Sequence, residues 1–240
     1  DFANDFEGNL ALLNSTEMLD AVHRYEQIDL ITGRIMSFAG LRYYQLTIDN
    51  NRAKFMSDMQ DKITVSTTPL VFFSLEFNRL NEADLVALCA RNVDLARYMP
   101  VFKRMRAMKP YQLSDELEKF LHDQSVVGTA AWNRLFDETV AGLVFEIEGD
   151  KLPLEAAANK LSDQNRNTRE AAARQIASVL GNNIGLFARI HNTIAKEKGI
   201  EDRWRKMPTP QTGRHLSNHV EPEVVEALRD AVVAAYPKLS

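Results

Sequence analysis

The sequence predicts an all-α protein with one small β-hairpin, and three observations carry that reading. Apolar residues recur at steps of three and four over most of the 240 residues, as in helices with one buried stripe. Asn, Asp and Ser stand repeatedly just before those stretches, where a short side chain can accept from the free N–H groups of a first turn. Residues 143–154 alternate instead with a period of two, around the turn chemistry of Glu148-Gly149-Asp150.

Asn14 opens the first long helix. Glu17 follows at capping-box spacing, and Met18, Val22, Tyr25, Ile28, Ile31, Ile35 and Phe38 form one stripe, predicting a helix over about 15–45. Residues 47–50 interrupt it, with Asp49 as the cap of a second helix through Phe55, Met59 and Ile63 toward Phe72 and Leu75. Pro69 falls inside that helix, lacks an N–H, and predicts a kink or break. Asn81 caps a third helix bearing Leu85, Leu88 and Cys89, and a shorter one follows Pro100 over about 101–108. Lys109-Pro110 closes this section, because a residue before proline is pushed out of the helical region. Ser114 caps a helix with Leu117, Phe120 and Leu121, and Ser125 and Gly128 precede another with Trp132, Leu135 and Phe136. After the hairpin come a short helix over 154–161, a cap at Ser162-Asp163, and an alanine-rich helix over 169–180. A helix through Ile184, Phe187, Ile190 and Ile194 ends near Gly199, and residues 207–213 read as a loop. Glu221-Pro222-Glu223 opens the last helix, with proline at its first position and acids against the positive end of the dipole.

Composition narrows the function classes. Apolar residues at 45% and charged residues at 26% describe an ordinary globular chain. A net charge of −4 argues against a nucleic-acid or anionic-membrane partner. The lone Cys89 cannot form an internal disulfide and fits a reducing, cytoplasmic setting. No apolar run reaches the ~18–20 residues that span a bilayer. The chain begins Asp1-Phe2-Ala3 without an initiator Met or signal peptide, which predicts a piece of something larger.

Candidate chemistry is sparse. His215 and His219 stand at i, i+4, a spacing that can place two imidazoles on one helix face, but a zinc peptidase helix needs Glu where Leu216 stands, and a third ligand. They read as ordinary hydrogen-bonding histidines. Residues 201–206 interleave Trp204 with three bases beside two acids, which predicts a local ion-pair cluster with a cation–π contact on Trp204. Cys89 reads as a small core hydrophobe, His122 and His191 as structural, and His23 as the edge of a helix face. Glu116-Glu118 and Asp137-Glu138 read as carboxylates on solvated faces. No phosphate loop, nucleophile elbow or zinc-type Cys pair is present, so no catalytic or metal-binding residue is assigned and the substrate-binding residues are left open.

Several blocks resemble one family when taken in order. They are residues 34–40 (Arg-Ile-Met-Ser-Phe-Ala-Gly), 110–114 (Pro-Tyr-Gln-Leu-Ser) and 131–139 (Ala-Trp-Asn-Arg-Leu-Phe-Asp-Glu-Thr). To these add 192–196 (Asn-Thr-Ile-Ala-Lys), 202–205 (Asp-Arg-Trp-Arg), 214–218 (Arg-His-Leu-Ser-Asn) and 220–225 (Val-Glu-Pro-Glu-Val-Val). Over essentially the whole chain this is similar to the N-terminal part of bacterial oligoendopeptidase F, a zinc metallopeptidase of the thimet-oligopeptidase type.

That resemblance implies a parent two to three times as long, with an H-E-x-x-H zinc helix and a third glutamate ligand downstream. None of that motif is here, so zinc is expected in the parent and none on this chain, which is expected to be inactive alone. It further implies a clam-shell whose mostly helical halves enclose a channel for short peptides. This chain would form one wall and need the C-terminal catalytic half as its partner. The expected division is a helical region over 1–109, the family's N-terminal module with the hairpin over 110–180, and the start of the catalytic domain over 181–240. Without its partner half, bared apolar surface would favour self-association. The rival readings are a non-enzymatic helical scaffold and a small metal-binding protein using His215 and His219.

Overall fold

The first long element starts where its cap predicts. Asn14 Oδ1 accepts from the N–H groups of Thr16 and Glu17 at 3.0 and 3.1 Å, and Glu17 Oε2 accepts from Asn14 N–H at 2.9 Å. Reciprocal satisfaction of first-turn donors fixes the helix start to the residue. The computed structural model describes residues 2–239.

In chain order, α1 (Phe2–Phe6) and a 3-10 turn at Leu10–Leu12 precede the 30-residue α2 (Ser15–Tyr44). Asp49 Oδ1 accepts from Asn51 and Arg52 N–H at the start of α3 (Asn50–Thr67). At Pro69 the helix gives way to a 3-10 turn, Thr68–Leu70, before α4 (Val71–Arg79). Asn81 and Asn92 cap α5 (Glu82–Ala90) and α6 (Val93–Ala96), and α7 (Met99–Arg106) carries Pro100 in its first turn. A 3-10 turn at Lys109–Tyr111 leads to α8 (Asp115–Gln124) and α9 (Thr129–Ala141). The hairpin pairs β1 (Phe145–Ile147) with β2 (Asp150–Leu152), Phe145 opposite Leu152 and Ile147 opposite Asp150. Glu148 and Gly149 turn it at φ 54° and 92°, as the two-residue hairpin turns that match strand twist require. Then follow α10 (Leu154–Asn159), α11 (Arg166–Asn182), α12 (Ile184–Arg205), α13 (Thr212–Asn218) and α14 (Pro222–Leu239). The fold is thus predominantly helical with one small antiparallel hairpin.

Four local expectations are corrected. The helix expected to stop near Gly199 continues to Arg205, because Gly199 makes no turn and Lys206, at φ 57°, ends the helix instead. The cap before α11 is Asn165, whose side chain accepts from Asn167 N–H, whereas Asp163 spends its carboxylate on Asn165 N–H. The loop expected through residue 213 ends at α13, whose first residue Thr212 bonds back to Thr209. The stripe on α2 is buried at Met18 and Val22 but exposed at Ile31, Ile35 and Phe38, while Ala39 and Tyr43 are buried instead.

Two compact units are formed from interleaved stretches. The first comprises Asp1–Asp29, Thr67–His122 and Gly199–Ser240, the second Leu30–Ser66 and Asp123–Lys198. The core of the first is aromatic. Phe2, Phe6, Phe72, Phe73, Phe77 and Phe102 pack with Met18, Val22, Leu85, Cys89 and Leu95. Ring pairs such as Phe77–Phe102 at 4.6 Å and Tyr25–Phe73 at 4.5 Å link its helices, and burying each such side chain stabilises by about 1.5–3 kcal/mol. In the second unit, β1 turns Phe145 and Ile147 inward onto Ala157 and Ala172, where alanines let α10 and α11 approach the hairpin.

Candidate functional site

The histidine pair is taken apart by the backbone. His215 lies inside α13, but His219 follows its end in the left-handed conformation, φ 53° and ψ 44°, with its N–H bonded to Leu216 O at 3.2 Å. The two imidazoles therefore do not share a helix face. Among the described residues no group of three or more His, Cys, Asp or Glu side chains is arranged to hold a metal ion, so the donors present do not fit a zinc site. Cys89 is buried and its thiol is pushed up by burial, the state of an inert core sulfur. His122 shares a hydrogen bond with Thr67 Oγ1 at 3.0 Å. His23 and His191 are exposed, the former edge-on to Tyr98 at 6.0 Å.

The charged cluster expected around Trp204 centres on Arg205. Its Nη1 and Nη2 donate to Glu118 Oε1 and Oε2 at 2.6 and 2.9 Å, Nε donates to Glu201 at 2.6 Å, and Nη1 also reaches Tyr111 O at 3.2 Å. The Arg205 and Glu118 side chains are only 9% and 14% exposed, so Glu118 does not lie on a solvated face, though Glu116 does. Burial pushes the Glu118 carboxyl up, but the Arg205 bonds and the Leu113 N–H, at 2.8 Å, outweigh it and hold it below the usual range. Trp204 stays exposed. The cation–π contacts fall elsewhere, Arg24 over Phe2 and Phe6 and Arg42 over Phe55, and none involves Trp204 among the described residues.

Within the second unit, a cleft of about 530 Å³ opens between the end of α2, the loop 45–48, the last turns of α9 and the start of α10. Tyr44, Ile48, Phe136 and Leu154 give it apolar walls, Asp137 and Glu155 give it two carboxylates, and none of the described residues lining it is basic. The Phe136 ring meets Phe187 edge-on at 5.5 Å, which fixes that wall. Asp137 and Glu138, expected together on a solvated face, split: Glu138 is exposed, while Asp137 is half-buried and its carboxyl is pushed up by burial. The Asp137 carboxylate makes no hydrogen bond or ion pair among the described residues. Next to Tyr44 in sequence, Tyr43 has a buried hydroxyl with no hydrogen-bond partner. Burial, then the charges of Glu138 and Asp137, push it up to about 12. Sequence reading misses this cleft, because its residues come from three separated stretches. Its one local signal is an acid directly after the aromatic Phe136.

Comparison with known proteins finds likenesses for part of the sequence and for the fold. Residues 76–145 match the family model described as oligopeptidase F. No curated protein matches the sequence. The crystal structure of oligoendopeptidase-F from Enterococcus faecium superposes with a TM-score of 0.86 at 20% identity, covering 98% of this chain and 47% of that one. The chain thus spans about half the length of that protein. Residues 76–145 are thus similar to the oligopeptidase F family, and nearly the whole chain has the fold seen in about half of an oligoendopeptidase-F.

Proposed function

We propose that this chain is the channel-wall portion of a zinc-dependent oligoendopeptidase that hydrolyses short peptides, and that it is inactive alone. The observation that carries this reading is the fold likeness over 98% of this chain to about half of a peptidase. Among the described residues no group of three or more His, Cys, Asp or Glu is arranged to hold a metal ion, and in this reading the C-terminal catalytic half supplies the metal and the base that would work with it. Bound there, zinc would supply Lewis-acid activation of water and carbonyl. This chain contributes shape and charge: rigid helices walling a space for peptides, and a C-terminal catalytic half as partner. In this reading residues 1–109 are a helical flank, 110–180 the family module with its hairpin, and 181–240 the opening of the catalytic domain. A single buried cysteine supports a cytoplasmic setting. Among the described residues no helix is long and apolar enough to cross a membrane.

Two measurements test this. The pure chain should cleave no quenched fluorescent peptide and retain no stoichiometric zinc, while a product extended past Ser240 should do both. Zinc-dependent turnover by the 240 residues alone, or an extended gene without H-E-x-x-H, would overturn the reading.

A further inference from the structure

We propose that the cleft between α9 and α10 is a peptide subsite that takes a lysine or arginine side chain flanked by a bulky apolar residue. This rests on the reading of the parent as a peptide-hydrolysing enzyme for its ligand class, and on the cleft itself for its preference. Charge complementarity selects the occupant. Asp137 and Glu155 face the space with no cation among the lining residues, so an anionic ligand would meet two carboxylates and a neutral one would leave both without a partner. Asp137 is half-buried and has no partner of its own among the described residues, and burial already disfavours its charge. An incoming ammonium or guanidinium would supply the missing counter-charge at a carboxylate that burial partly shields from water. The walls select the neighbour. Tyr44, Ile48, Phe136 and Leu154 present apolar surface around those acids, suited to an aliphatic or aromatic side chain and to the methylene stem of the base itself. A volume of about 530 Å³ lies within the range of small-ligand pockets, with room for roughly two or three residues of extended peptide.

Titration calorimetry of the 240-residue chain with capped pentapeptides tests this: Ala-Leu-Arg-Leu-Ala, and the same peptide with citrulline or glutamate at its centre. Citrulline keeps the shape of arginine and removes the charge. The arginine peptide should bind about tenfold more tightly than the citrulline peptide, and the glutamate peptide more weakly still. Asp137→Asn and Glu155→Gln should each weaken the arginine peptide about fivefold and leave the citrulline peptide unchanged, whereas Asp61→Asn, on the exposed side of α3, should change neither. Glu155 is exposed, so its variant keeps the test valid if Asp137→Asn disturbs packing. Equal binding of the arginine and citrulline peptides, or arginine binding that both variants leave untouched, would overturn the subsite. Because the readout is binding, an extended product that cleaves no peptide would defeat the peptidase reading while leaving a measured preference for cationic peptides intact.

Discussion

Arg205 is the residue on which the first unit's polar interior turns. Its guanidinium satisfies Glu118 bidentately, Glu201 and a backbone carbonyl at once, so removing it strands a carboxylate that is 14% exposed. Arg205→Ala should cost about 3 kcal/mol in urea unfolding, and Arg205→Lys most of that, since an ammonium cannot span both Glu118 oxygens. The pH dependence follows in sign. Glu118 is held below its ordinary 4.5, so its pairing stabilises fully above that pH and is lost as pH falls through the lower, folded value. Acid unfolding of Glu118→Gln should therefore show a shallower fall below about pH 4.5 than the parent chain. Tyr98 and Tyr43 are both pushed up, for different reasons. Tyr98 is pushed up to about 12 first by its bond to Glu26, at 2.6 Å, and Tyr43 to about 12 first by burial. Absorbance at alkaline pH should resolve both, with Glu26→Gln returning Tyr98 toward 10.0 and leaving Tyr43 in place. Since the Tyr43 hydroxyl is buried without a partner, Tyr43→Phe should leave stability unchanged or raise it by up to about 1 kcal/mol.

Caps decide the short elements. The four-residue α6 exists because Asn92 Oδ1 accepts from both Asp94 and Leu95 N–H, at 3.0 and 3.2 Å. Asn92→Ala should lower stability by about 1 kcal/mol, read as a drop in melting temperature. At α9 a carboxylate from outside stands over the start. Glu197 accepts from Thr129 Oγ1 at 2.8 Å, and a Cβ on Gly128 would overlap its carboxylate. How much was legible follows this distinction. Asn14 with Glu17, Asp49 and Asn81 were readable, because cap and first turn lie within four residues of one another. The hairpin was readable because Glu148-Gly149 sits between alternating residues. The bridge between Glu118 and Arg205 was not, since 87 positions separate the partners and local spacing carries no trace of them. Asp137 was hidden the same way: the cleft it lines is completed by residues of α2, the loop 45–48 and α10, far from α9 in sequence.

For the molecule as a whole, unpartnered apolar surface is the dominant feature. On α14, Val224, Leu228, Val232 and Tyr236 recur every fourth residue and all are exposed, Leu228 at 65%. Sedimentation of the 27.2 kDa chain should show concentration-dependent self-association that Leu228→Glu suppresses. The interleaving of the two units has a consequence during synthesis. The first unit draws on Asp1–Asp29, Thr67–His122 and Gly199–Ser240, so it cannot be completed as its opening residues emerge from the ribosome. Since 87 positions separate them, Glu118 is translated some 4–17 s before Arg205 at roughly 5–20 residues per second. Through that interval the first unit holds an acid whose counter-ion has yet to be made, and the unit closes only as its last stretch arrives.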